Sequence, residues 1–75
     1  MGDTLEVISP LPGVVVKVLV NTGDRVGEDD AVAILQSMKT EISIPAGLRG
    51  TVQSVLVKEG VEVDVGTPLL RLNSD

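Results

Sequence analysis

The chain has 75 residues, 43% of them hydrophobic and 23% charged, with a net charge of −5 and no histidine, cysteine or aromatic residue. A chain this short is near the minimum that buries an independent core, so a single domain over residues 1–75 is expected, and its hydrophobic fraction excludes disorder. The acidic balance repels phosphate backbones and no ring is present for a base to stack on, which excludes nucleic acid as a partner.

No apolar run approaches the roughly 18 to 20 residues needed to cross a bilayer, so no membrane contact is expected. Met1-Gly2-Asp3-Thr4 lacks the basic and apolar stretches of a secretory signal. Without histidine or cysteine, neither a Ser-His-Asp nor a Cys-His arrangement can be built, and no disulfide or thiolate ligand is available. Catalysis would have to rest on carboxylates or lysine alone.

Along the chain, Gly13 to Val20 is rich in β-branched residues and free of proline, which predicts a strand. Gly23 ends it, where a tight reversal or a positive φ calls for glycine. A short strand follows, then the acidic run Glu28-Asp29-Asp30. Oxygen ligands of this kind can hold a hard cation, but the spacing fits no EF-hand loop, and the run reads as a solvated turn. Ala31 to Ser37 and Glu41 to Ile44 read as strands, and Thr51 to Lys58 as a further strand ended by Gly60.

The strongest structural signal is an internal repeat at an offset of 37 residues. Aligning 13–36 with 50–73 pairs Gly13 with Gly50, Val15 with Val52, Val18 with Val55, Leu19 with Leu56 and Val20 with Val57. Gly23 falls on Gly60, Val26 on Val63 and Leu35 on Leu72. Each half therefore reads as strand, turn, short strand, turn, strand. At the second corner Gly66 has Asp29 as its counterpart, a residue type that tolerates the left-handed region. Val15 and Val18 lie three apart, so a bulge between them is expected to bring both to one face. Two such halves cover their apolar faces by packing against each other as an all-β sandwich or flattened barrel with a pseudo-twofold axis.

The duplication requires the chain to reverse near Met38-Lys39, yet from Gln36 to Ile44 there is no Gly, Pro, Asn or Asp. Two-residue hairpin loops ordinarily use those residues, and conflict between local preference and inferred structure points to function. Of the three lysines, Lys17 and Lys58 sit in or at the end of repeat strands, whereas Lys39 lies at the hinge. Met38 is an apolar residue at an exposed tip, where a flexible thioether can adapt to a partner surface.

The segment Leu35-Gln36-Ser37-Met38-Lys39-Thr40-Glu41-Ile42 resembles the attachment hairpin of biotinyl domains, the biotin carboxyl carrier branch of the biotin/lipoyl attachment family, whose usual form is Glu-Ala-Met-Lys-Met. Ser9-Pro10-Leu11-Pro12-Gly13 and Val18 to Val26 resemble the first half of that family, and Gly50 to Gly66 its second, so the resemblance spans nearly the whole chain. It implies a barrel-sandwich hybrid of two four-stranded antiparallel sheets, with Lys39 on the turn between the halves as the site of covalent biotin attachment. Met38 and Thr40 would flank it for recognition. Thr40 stands where the family usually has a second methionine, and Gln36-Ser37 replaces Glu-Ala. Lipoyl domains typically carry Asp-Lys at this turn, so Met38 favours biotin over lipoate. No insertion corresponds to the protruding thumb of some bacterial carriers.

The function so implied is that of a non-catalytic carrier. A biotin protein ligase would join biotin to the Lys39 amine, a biotin carboxylase would load the carboxyl group from bicarbonate using ATP, and a carboxyltransferase would unload it. The setting would be cytoplasmic, or the mitochondrial matrix or plastid for an organellar carboxylase, and the isolated barrel would be monomeric. A lipoyl carrier and an unmodified interaction module are the alternatives. An enzyme using Asp29 and Asp30 as paired carboxylates is a third.

Overall fold

The computed structural model describes residues 3–74. Its regular structure consists of eight strands: β1 (Thr4–Ile8), β2 (Gly13–Val18), β3 (Arg25–Val26), β4 (Ala31–Ser37), β5 (Thr40–Pro45), β6 (Gly50–Val55), β7 (Glu62–Val63) and β8 (Pro68–Ser74). They form two four-stranded antiparallel sheets, ordered β1-β8-β6-β3 and β5-β4-β2-β7. Of the two expected forms, the structure is the sandwich: each sheet keeps its own edges and no ladder among the described residues closes them into a barrel.

The repeat governs the hydrogen bonding residue by residue. In one sheet β2 meets β4 with Val14 opposite Gln36, Val15 opposite Leu35, Lys17 opposite Ile34 and Val18 opposite Ala33. In the other, β6 meets β8 with Thr51 opposite Asn73, Val52 opposite Leu72, Ser54 opposite Arg71 and Val55 opposite Leu70. Every number is raised by 37. The short strands cross between halves: β7 pairs with β2, and β3 with β6. Each half thus completes the other's sheet, and neither half can form both of its ladders alone.

The bulge expected between Val15 and Val18 is present, as a register shift between Val15 and Lys17, and recurs between Val52 and Ser54. It turns Val15 and Val18 toward one core, where Val15 is buried and Val18 packs against its margin. The strands read as Gly13 to Val20 and Thr51 to Lys58 stop earlier, at Val18 and Val55, but Val20 and Val57 still pack inward. β1 had no expectation of its own, because only Val7 of its five residues is buried and the stretch carries no clear alternation.

Gly23 and Gly60 have φ of 95° and 93°, as their positions require. The second corner departs from expectation. Gly66 is left-handed, with φ 87°, but Asp29 is not, since Met38 is the one non-glycine residue with positive φ among those described. Both corners keep the same backbone bond, from the Asp30 N–H to the Gly27 carbonyl and from the Thr67 N–H to the Asp64 carbonyl. A tight turn closes with either sign of φ at this position, so Asp29 preserves the corner by changing turn type rather than by entering the left-handed region.

The core is built from dyad-related pairs. Val15 and Val52, Val32 and Leu69, and Leu35 and Leu72 are all but completely enclosed, with Val26 and Val63 around them. Each such side chain contributes about 1.5–3 kcal/mol on leaving water. The one buried polar residue among those described, Ser9, donates its hydroxyl to the Leu11 carbonyl, and no buried side-chain nitrogen or oxygen among the described residues lacks a partner.

Candidate functional site: the Met38-Lys39 turn

Strands β4 and β5 pair from Ala31 opposite Pro45 to Ser37 opposite Thr40, leaving Met38 and Lys39 as a two-residue connection. Leu35 and Ile44 are buried and Ile42 packs at the edge of the core, so the register of the hairpin is set by burial well below its tip. Met38 has φ 56°, and Lys39 is not left-handed. A positive φ at the first of two turn positions is a feature of the primed hairpin turns, where glycine, asparagine or aspartate ordinarily sits. Placing a methionine there costs about 1–2 kcal/mol, a strain that persists because the paired strands on either side over-determine the turn.

The methionine gains no packing in return: Met38 is 95% exposed. Lys39 and Thr40 are exposed as well. The structure thus brings the three residues singled out from sequence together at one tip, with the Lys39 amine open to solvent. Beside the tip runs an open groove of about 540 Å³, lined by Pro12, Gly13, Val14, Ser37, Met38 and Glu62 among others. Glu62 is the one charged residue of that lining and comes from the other half, delivered by the β7–β2 pairing. Sequence reasoning did not place it here, because a two-residue strand gives no periodic signal of its partner.

The acidic run lies elsewhere and has a structural occupation. The Asp30 carboxylate accepts the Gly27 N–H at 2.8 Å, closing the corner before β4. In the other half the Thr67 hydroxyl takes the same place, accepting the Asp64 N–H at 2.9 Å. Among the described residues no three carboxylates converge as a metal site would require.

Residues 5–72 match the biotin/lipoyl domain family, described as "Biotin-requiring enzyme". The chain belongs to this family. Within the biotin/lipoyl family it is 44% identical over 64 residues to a biotin carboxyl carrier protein of Streptococcus mutans, a match covering 85% of this chain and 49% of that one. It is 37% identical over 62 residues to the dihydrolipoyllysine-residue acetyltransferase component of the pyruvate dehydrogenase complex of Staphylococcus aureus, covering 83% of this chain and 14% of that one. Among solved structures, a single-chain, multi-domain long-chain acyl-CoA carboxylase superposes with a TM-score of 0.89 at 26% identity, covering 96% of this chain and 7% of that one. The chain therefore spans about half the length of the Streptococcus carrier and a small part of the other two.

Proposed function

We propose that this chain is a biotin carboxyl carrier, biotinylated on the Nζ of Lys39 by a biotin protein ligase and serving a biotin carboxylase and a carboxyltransferase in turn. The observation that carries the reading is the tip itself. A non-glycine residue is held left-handed and almost fully exposed immediately before an exposed lysine, at a cost in stability that no packing offsets. The higher identity to a biotin carrier than to a lipoyl-bearing acetyltransferase supports biotin over lipoate.

The residues present fit such a group. The Lys39 side chain is exposed and the turn that bears it projects from paired strands, so an amide at Nζ meets no protein wall. When bound, biotin supplies a ring nitrogen that accepts a carboxyl group and gives it up again. The protein itself supplies position. The paired strands end at Ser37 and Thr40, and beyond them lie Met38 and Lys39 alone, both exposed. A short tether of this kind keeps its cargo at high effective concentration for two sites in succession. Ligation needs a nucleophilic amine that the ligase can reach, and the exposed tip leaves the Lys39 side chain open to it.

The test is the intact mass of wild type and Lys39→Arg after incubation with biotin, ATP and a biotin protein ligase, with lipoate and a lipoate ligase in parallel. One biotinyl increment on wild type, absent from Lys39→Arg, is the expected result. An increment with lipoate alone, or none with either, overturns the biotin reading.

A further inference from the structure

Sulfur is scarce in this chain: there is no cysteine, and the two methionines are Met1 and Met38. Met38 is therefore the one sulfur among the described residues, and it stands 95% exposed in the residue next to the attachment lysine. On the other side of Lys39 is Thr40, which has no thioether to share the exposure. A flexible apolar thioether suits an adaptable contact surface, but an exposed one is open to oxidation, which makes it polar and chiral.

We propose that Met38 is a reversible oxidation site whose state controls the biotinylation of Lys39; the inference rests on the carrier reading given above. Hydrogen peroxide is the oxidant. Its O–O bond breaks, one oxygen bonds to the Met38 sulfur, which is oxidised by two electrons, and the other oxygen leaves as water. Methionine sulfoxide reductases reverse the change, two electrons coming from a dithiol that is oxidised to a disulfide while the sulfoxide oxygen leaves as water.

The consequence for recognition follows from the turn. Met38 and Lys39 are the whole of the two-residue connection, so an enzyme that encloses Lys39 must also cover Met38. Covering a thioether releases water from an apolar surface, whereas covering a sulfoxide strips a strongly polar oxygen of its hydration. The fold is indifferent to the change, because the side chain packs against almost nothing. Oxidation would act on recognition while leaving stability alone, which separates a switch from simple damage.

The experiment treats wild-type protein with hydrogen peroxide, locates the added oxygen by peptide mapping and follows biotinylation by a biotin protein ligase before oxidation, after it, and after treatment with methionine sulfoxide reductases. We expect one oxygen on Met38, an unchanged thermal midpoint, an initial biotinylation rate about tenfold lower, and recovery on reduction. Met38→Leu, whatever its own rate, should show no further fall on peroxide treatment. Equal rates for the oxidised and reduced wild-type protein, or a Met38 that resists peroxide under conditions that oxidise free methionine, overturn the proposal. If the untreated protein accepts no biotin, it is the carrier reading that fails, and this inference goes with it.

Discussion

The Ser37–Thr40 turn and its dyad mate hold equivalent pairs of strands in different ways. In one, β4 passes to β5 through Met38 and Lys39; in the other, the end of β8 meets the start of β1 with no chain between them. There the Asp3 N–H donates to the Ser74 hydroxyl at 2.9 Å and the Ser74 N–H to the Asp3 carbonyl at 2.9 Å. The ladders below run alike, Glu41 opposite Gln36 and Thr4 opposite Asn73. The open pair shows that such strands stay aligned without a favourable turn, because their register is fixed in the core. Residues at the closed tip are thereby released from structural duty, which on the proposed carrier reading leaves their identity to recognition.

This comparison is broken or sharpened by substitutions made in dyad pairs. In the core the halves should behave alike. Leu35→Ala and Leu72→Ala each remove a completely enclosed side chain and should each cost about 2–5 kcal/mol in chemical denaturation. A large gap between the two would show that the halves are equivalent in geometry but not in energy.

Gly13 and Gly50 should differ by degree. An added Cβ at Gly13 would sit 2.6 Å from the Gln36 carbonyl oxygen, and at Gly50 closer still to that of Asn73. Both Gly13→Ala and Gly50→Ala should lose about 1–3 kcal/mol, with Gly50→Ala the worse of the two. At the corners, Asp30→Ala and Thr67→Val each remove the side-chain acceptor of one turn N–H, and each should lose about 0.5–1.5 kcal/mol by thermal melting.

The smallest effect has the opposite sign. Met38→Gly gives the first turn position the residue its φ favours and forfeits no packing, so it should raise stability by about 0.5–1 kcal/mol. The same variant should accept biotin more slowly than wild type. A loss of stability in Met38→Gly would mean that the tip supports the fold after all.

Much of this was legible in the sequence for identifiable reasons. The repeat showed the dyad because both halves solve one packing problem with the same residues, Val15 and Val52 or Leu35 and Leu72. The bulge followed from the three-residue step between Val15 and Val18, and the tip from the reversal that the duplication requires between Ala31 to Ser37 and Glu41 to Ile44, the missing turn residues there marking it as functional. What escaped depended on contacts between distant segments. The docking of β7 on β2, which brings Glu62 to the tip, leaves no periodic trace in two residues. β1 escaped because an edge strand with one buried residue need not alternate. The φ of Asp29 escaped because a corner of this kind closes with either sign, so composition alone does not choose.

The Asp3–Ser74 pairing has a mechanical consequence. Because β1 and β8 are antiparallel and their outer ends lie side by side, a pull applied between those ends loads the ladder one hydrogen bond at a time rather than all at once. The sheet would open like a zipper from that end, at low force. The Lys39 turn, related to that pairing by the dyad, lies on the other side of the axis and would be the last region to feel the strain.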